Sequence, residues 1–149
     1  KYASKADTFN TTSTSYVDIT DLSLSITPSS TSSKILISWA VATGQANNAS
    51  HAYLVIARDS TDNIFIADVV GSRTSATNVG NMGLPESYMQ ILSNSFLDSP
   101  NTTSAITYKI RIKSSNGSTI YVNRSWRDNN AAAYDGRGCS SFMIMEVKA

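Results

Sequence analysis

Apolar and polar residues alternate with period two along most of this chain, the signature of strands that bury one face and leave the other wetter. The clearest stretch is 106–113. There Ile106, Tyr108, Ile110 and Ile112 fall on one face, with Lys109, Arg111 and Lys113 on the other. Asn116-Gly117 follows, and both residues tolerate the positive φ of a type I′ turn. The pair predicts a hairpin to a strand over 119–124, with Ile120 and Val122 facing one way and Tyr121 the other. Leu22, Leu24 and Ile26 alternate with Ser23, Ser25 and Thr27 and stop at Pro28. Further strands are predicted over 3–9, 16–19, 34–42, 52–58, 64–70, 88–97 and 140–147, separated by clusters of Gly, Asn, Asp and Ser. Only 85–92 competes as a short helix, since Pro85 suits a first helical turn and Glu86 its dipole; strand is the preferred reading. Many short strands without a long 3.6-period segment predict an all-β fold, an antiparallel sandwich or jelly roll.

Three strands are apolar on both faces. In 34–42, Ile35, Ile37, Trp39 and Val41 oppose Leu36, Ala40 and Ala42. In 53–58, Tyr53, Val55 and Ala57 oppose Leu54 and Ile56, and in 141–147, Phe142 and Ile144 oppose Met143, Met145 and Val147. An isolated sandwich wets the outer face of each sheet. Something therefore covers these outer faces, either loops of the same chain or, the favoured expectation, another subunit.

Composition narrows the class. Forty of the 149 residues are Ser or Thr, yet 41% are hydrophobic and the formal net charge is only +1, so a compact core is expected rather than a disordered stalk. The length predicts a single domain over 1–149. Twelve Lys and Arg spread among eleven Asp and Glu form no basic stripe, which argues against nucleic acid as a partner. No apolar run approaches the roughly 18 residues of a membrane span, so membrane insertion is not expected, and no signal peptide is visible. Lys1 where a Met is expected predicts a processed chain or part of a longer one. The one cysteine, Cys139, can form no disulfide within the chain and is expected to be a small buried packing residue. Five N-x-Ser/Thr triplets, at Asn10, Asn48, Asn101, Asn116 and Asn123, are about what this composition gives by chance.

Equipment for chemistry is sparse. Nucleophilic catalysis needs a base beside Ser or Cys, and the only histidine, His51, sits in a polar stretch and reads as a surface or strand-edge residue. One His and one Cys make no zinc site unaided. The acidic pairs Asp18/Asp21, Asp59/Asp62 and Asp128/Asp135 read as turn caps. A calcium site at 59–63 or 128–135 has the oxygen ligands but lacks the EF-hand pattern. Neither catalytic residues, nor a cofactor, nor a metal is expected. The richest loop is 126–138, which carries Trp126, Arg127, Asp128, Asn129, Asn130, Tyr134 and Asp135. Aromatic rings beside planar hydrogen-bonding groups are what saccharide or protein recognition uses, so these seven are the candidate ligand-binding residues. The alternative is that Trp126 packs beneath an otherwise solvated turn.

Nearly the whole chain resembles a recurring bacteriophage virion domain, and is especially similar to sequences from marine phages. The resemblance rests on Asp7-Thr-Phe9, Tyr16-Val-Asp-Ile-Thr-Asp-Leu22, Ser25-Ile-Thr-Pro-Ser-Ser-Thr-Ser-Ser-Lys-Ile-Leu-Ile37, Ser95-Phe-Leu-Asp-Ser-Pro100, Thr107-Tyr108-Lys109, Tyr121-Val-Asn-Arg-Ser125 and Ile144-Met-Glu-Val147. Segment 71–87 follows no assigned pattern. Such domains look like C1q/TNF-type jelly rolls that form threefold knobs on tail fibres or other virion appendages. The resemblance therefore implies a homotrimer, the C-terminal part of a longer protein, displayed on the virion surface among other virion proteins. It also implies folding in the bacterial cytosol, where a free thiol stays reduced. The leading expectation is a non-enzymatic fibre-tip, receptor-binding knob that contacts a host surface glycan or protein. A structural capsid decoration or head-fibre protein comes second, and a carbohydrate-binding module third. Counting alternating strands back from 140–147 groups loop 126–139 with 98–104 and 59–62, and puts 43–52 and 71–87 at the other end. With the termini together at a shaft, as in the jelly rolls it resembles, loop 126–139 faces away from them.

Overall fold

A computed structural model describes residues 1–45, 50–60, 64–80, 87–130 and 133–148. Ten strands are present among them: β1 (Tyr2–Lys5), β2 (Phe9–Thr11), β3 (Val17–Ile26), β4 (Lys34–Gln45), β5 (Ala52–Arg58), β6 (Asn78–Gly80), β7 (Gln90–Asp98), β8 (Ile106–Ser114), β9 (Ile120–Val122) and β10 (Ser140–Val147). All pairings are antiparallel, and the described residues contain no helix. The architecture is an all-β sandwich-like arrangement of two sheets, and none of the described residues forms a helix long and apolar enough to cross a membrane.

One sheet, here sheet B, runs β3-β8-β5-β6; the other, sheet A, joins β1, β2, β4, β7, β9 and β10. Sheet A is built from two interrupted strands. β9 pairs with Thr43–Gln45 and β10 with Lys34–Ala40 of β4, while β7 holds the opposite edge. On the far side, β1 pairs with β10 and β2 with β9. Thus β9 and β10 lie end to end and run in the same direction, as do β1 and β2.

The alternating residues make the core. Ile35, Ile37, Trp39 and Val41 of β4, with Phe142 and Ile144 of β10, meet Ile106, Tyr108, Ile110 and Ile112 of β8 and Leu54 and Ile56 of β5, all buried. Two polar clusters tie the sheets together at their margins. The buried Tyr108 hydroxyl donates to Asp98 Oδ2 (2.7 Å), and Arg58 Nη1 binds both Asp98 oxygens (3.0 and 2.7 Å), so β7 is tied to β8 and β5. Burial first, then the Asp98 carboxylate, pushes the Tyr108 phenol well above its ordinary range, which keeps it a donor. On the other margin the buried Lys5 ammonium donates to Asp7 (2.9 Å), Thr20 Oγ1 (2.9 Å) and Asp21 (3.3 Å), joining β1 to β3. Its hydrogen bond is the main reason the Asp7 carboxyl lies below the usual range.

Several expectations are corrected. The stretch 3–9 is two strands, whereas 16–19 and 22–27 belong to one, β3, whose register shifts between Asp18 and Ser23 around Asp21 (φ 66°). Asn116-Gly117 does not close a hairpin: β8 lies in sheet B and β9 in sheet A. Only Gly117 of the pair has positive φ (85°), and Asn116 Oδ1 accepts the Ser118 N–H instead. Segment 64–70 is no strand. Ile64 and Phe65 pack on the core, where Phe65 stacks on Phe96 (4.5 Å) and meets Trp39 edge-on (6.5 Å). The alternation there records side chains reaching inward from irregular backbone. The short β6, at 78–80 within the unassigned segment, pairs instead with β5. Of the stretch that competed as a helix, 90–92 begins β7, and 85–86 lie outside the described residues. Cys139 is exposed, because Ser140, Phe142 and Ile144 take the inward parity and leave position 139 on the other face.

The doubly apolar strands divide. On β5, Val55 and Ala57 are buried within the chain; their register partners are Arg111 and Lys109. On sheet A, Tyr2, Leu97, Met143 (37% exposed), Met145 (48%) and Val147 face outward and open.

Three substitutions test these contacts. Asp98→Ala leaves a buried hydroxyl and Arg58 unpaired and is expected to cost about 3 kcal/mol in urea unfolding, while Tyr108→Phe costs about 1–2 kcal/mol. Glu146 Oε1 accepts the Ser29 N–H and hydroxyl (2.7 and 2.6 Å), and the Ser29 side chain, with Ser33, holds its carboxyl at about 2 against an ordinary 4.5. A depressed folded value stabilises above pH 4.5 and loses that contribution as pH falls toward 2. The melting temperature of Glu146→Gln should therefore fall less than that of the parent chain across this window; parallel curves would refute the linkage.

Candidate functional site

The candidate residues lie where the chain leaves sheet A after β9 and returns at β10. Its root is a buried polar knot. Asn123, at φ 64°, donates its backbone N–H to Ala42 O (2.9 Å) and its side-chain amide to Lys5 O (2.8 Å) and Asp7 O (2.9 Å). Its Oδ1 accepts the Ser140 hydroxyl (2.6 Å), and its carbonyl accepts Gly138 N–H (3.1 Å). Ser140 Oγ in turn accepts the Ala42 N–H (3.1 Å). The departing and returning ends are thus pinned to each other and to β4, and an isolated bridge, Arg124 with Arg137, extends the pairing outward. Close packing fixes the same place: a Cβ on Gly44 would stand 2.3 Å from Arg124 O, and one on Gly138 3.1 Å from Ala42 Cβ.

Beyond the root, charges pair within the loop. Asp128, at φ 44°, is gripped by Arg137 Nε (2.8 Å) and Arg124 Nη1 (3.2 Å). Arg124 also lies over the Tyr121 ring at 4.3 Å and donates to Ser125 O and Trp126 O (3.1 Å each). Asp135, whose side chain is 1% exposed, takes Arg127 Nη2 (2.9 Å) and the Ser125 hydroxyl (3.1 Å), and the same hydroxyl oxygen accepts the Asp128 N–H (3.2 Å). The loop is therefore a small folded unit with its own polar interior.

Of the seven sequence candidates, Asp128 and Asp135 are internal anchors held by arginines rather than turn caps. Trp126 is half-buried, with its carbonyl engaged by Arg124. Arg127, Asn129, Asn130 and Tyr134 (71% exposed) face solvent, and the Arg127 guanidinium stands 6.0 Å from the Tyr134 ring centroid. Residues 131–132 lie outside the described residues. Sequence reading missed Arg124, Arg137 and Asn123. Asn123 carried a local signal, since Asn is the non-glycine residue best suited to positive φ, but its partners are distant in sequence.

The register also corrects where the loop sits. Ser141 pairs with Ala40, and Val122 with Thr43, so loop 123–139 lies at the end shared by the C-terminus of β4 and the start of β5, near Met89. Segments 59–60 and 98–104 lie at the opposite end, where Asp98 pairs with Ile35 and Arg58 with Tyr108. Strand counting failed because β9 and β10 run the same way. The loop's root and the chain's N-terminus meet β10 at different points: Lys1 N–H donates to Ile144 O (2.8 Å), and β10 runs from Ser140 at the root toward Val147.

Chemical equipment elsewhere is thin. Among the described residues no three His, Cys, Asp or Glu side chains converge to hold a metal ion. His51 stacks on Tyr53 at 6.2 Å, and Asp59 Oδ1 accepts the Thr107 N–H (2.8 Å), as a capping carboxylate does. Asp62, and with it most of the 59–63 calcium candidate, lies outside the described residues. No protein-family model matches the chain, and no curated protein sequence is significantly similar to it.

Gly44→Ala tests the root directly. Forcing a methyl against the Arg124 carbonyl should cost about 1–3 kcal/mol and speed amide exchange at Asn123 and Gly138 more than in β8. Unchanged stability would show that the loop is not anchored there.

Proposed function

We propose that this chain is a non-enzymatic bacteriophage virion protein. In this reading it is a C1q/TNF-like jelly-roll knob that forms a homotrimer at a fibre tip on the virion surface and touches a host surface glycan or protein through loop 124–138. The observation that carries the reading is the outer face of sheet A. The side chains of Tyr2, Leu36, Met143, Met145, Leu97 and Val147 share that face, interspersed with Ser38, Ser95, Ser93 and Ala40, and Lys34 stands at its rim. Apolar, methionine-bearing and poor in charge, it has the composition of an interface centre on a chain whose other broad face is charged. The jelly-roll reading is supported by the strand sequence: β2 to β5 and β6 to β9 change sheets at each step, while β1–β2, β5–β6 and β9–β10 each stay in one.

In such an assembly the termini gather at one end and three copies of the loop stand at the other. Tyr134, Asn129, Asn130 and Arg127 offer a ring face and planar donors and acceptors. Three weak contacts on one rigid knob raise avidity by roughly 10²–10⁴. The alternative of a structural decoration draws on the loop's internal pairing, since Asp128 and Asp135 are satisfied without a ligand.

The protein is expected to sediment as a trimer at micromolar concentration, and Met143→Glu with Met145→Glu to sediment as a folded monomer. A monomeric parent chain would overturn the assembly. Tyr134→Ala with Asn129→Ala should weaken attachment to host cells while leaving trimer and melting temperature nearly unchanged; full attachment by that variant would favour the structural role.

A further inference from the structure

Two glycines of the chain follow a residue whose side-chain carbonyl carbon lies within reach of the next backbone nitrogen: Gly117 after Asn116 and Gly136 after Asp135. A glycine nitrogen is the least hindered of backbone nucleophiles, because no Cβ stands beside it. The fold treats the two pairs differently. Asp135 is internal: its side chain is 1% exposed, Arg127 reaches Oδ2 (2.9 Å) and the Ser125 hydroxyl donates to Oδ1 (3.1 Å). A carboxylate held in this way cannot swing onto the Gly136 nitrogen. Asn116 is exposed at the tip of the turn that carries the chain from β8 to β9. Below it, Ser114 Oγ accepts the Gly117 N–H (3.2 Å) and donates to Ser118 O (2.7 Å). Above it, the Ser118 N–H donates to Asn116 Oδ1 (3.1 Å), which folds the Asn116 amide back alongside the Gly117 peptide. Gly117 has φ 85°, and a Cβ there would meet nothing closer than Thr12 O at 3.9 Å, so the approach to its nitrogen is open.

We propose that Asn116 is a site of spontaneous self-modification, at which the Gly117 backbone nitrogen attacks Asn116 Cγ and the turn ages to aspartate and isoaspartate. The Gly117 N–H proton passes to solvent base as the N–Cγ bond forms. The bond from Cγ to the side-chain nitrogen then breaks, and that nitrogen leaves as ammonia with a proton from water. The product is a five-membered succinimide. Water adds to one of its two carbonyls and breaks that carbonyl's bond to the Gly117 nitrogen, giving isoaspartate or aspartate. The Ser118 N–H stands where negative charge gathers on Oδ1 during the attack, and the folded turn supplies the proximity that an extended chain must find by chance. Either product replaces a neutral amide with a carboxylate and so removes the formal net charge of +1. Isoaspartate also adds a methylene to the main chain and takes the acceptor away from the Ser118 N–H. The turn shares an end of the molecule with loop 123–139, since Ser114 pairs with Ala52 and Ile120 with Gln45. The inference rests on the turn and not on the function proposed above.

The test incubates the full chain in mildly alkaline buffer, folded or unfolded in urea, and follows ammonia release and isoaspartate over time. Trypsin cleaves after Lys113 and Arg124, and electron-transfer fragmentation of the 114–124 peptide separates Asn116 from Asn123. In the folded chain, isoaspartate should accumulate at position 116, with at least tenfold less at 123 and at 135. The folded rate at 116 should be no less than a third of the rate in urea, and should rise with pH. Gly117→Ala should slow conversion at least tenfold in either state, and Asn116→Gln, whose carbonyl carbon lies one methylene further out, should leave the peptide unmodified. A folded rate below a third of that in urea would show that the turn protects Asn116 and would overturn the proposal. So would conversion at 123 or 135 equal to that at 116, or an unaltered rate in Gly117→Ala.

Discussion

The buried hydrogen-bond knot at Asn123 and Ser140 is the constraint on which the arrangement of sheet A depends. A strand that leaves its sheet exposes backbone groups at both break points, and burying them unpaired costs on the order of 1–3 kcal/mol each. Here Asn123 places its backbone N–H, its carbonyl, its amide and its side-chain oxygen, while Ser140 accepts the Ala42 N–H and donates to Asn123. Because every partner is fixed, β9 and β10 stay in line along one edge of β4 despite the residues between them. The same knot reaches Lys5 and Asp7, where β1 gives way to β2. Two interruptions in neighbouring strands are thus closed by one set of bonds.

Opposite solutions operate on the two outer faces. On sheet B, Lys109 and Arg111 stand beside Ala57 and Val55 in the cross-strand register and pair with Asp18, and those two apolar residues are buried within the chain. On sheet A, methionines and leucine stand outward with serines between them, and Lys34 is at the rim. The contrast lies within one molecule of near-zero net charge and arises from which strands carry the charges, not from their number.

Much of this was legible in the sequence wherever side-chain parity decides the outcome. Ile106 to Ile112, Ile35 to Val41 and Phe142 with Ile144 are core residues because alternation turns them inward. Parity does not say which strands pair. Asn116-Gly117 marked a turn correctly, yet that turn carries the chain between sheets, and local residue preference is blind to the difference. Ile64 and Phe65 mimicked a strand because inward-packing aromatics on irregular backbone leave the same trace. For the candidate loop, the exposure of Tyr134, Asn129 and Asn130 followed from its polar composition. The engagement of Asp128 and Asp135 by Arg124, Arg137 and Arg127 did not, since it depends on a fold of the loop that no spacing rule encodes.

The excursion between β9 and β10 also bears on how such a chain can change over generations. Its two ends meet at fixed hydrogen bonds and at the Arg124–Arg137 bridge, so the residues between that bridge can be exchanged while the pairs of β9 and β10 with β4 stay in place. Inheritance then acts on two separate texts. The one written in Gly44, Asn123, Gly138 and Ser140 is intolerant of revision, because it holds the register. The other, between them, is open to replacement in blocks, so variation can accumulate at the exposed tip while the scaffold beneath it keeps folding as before.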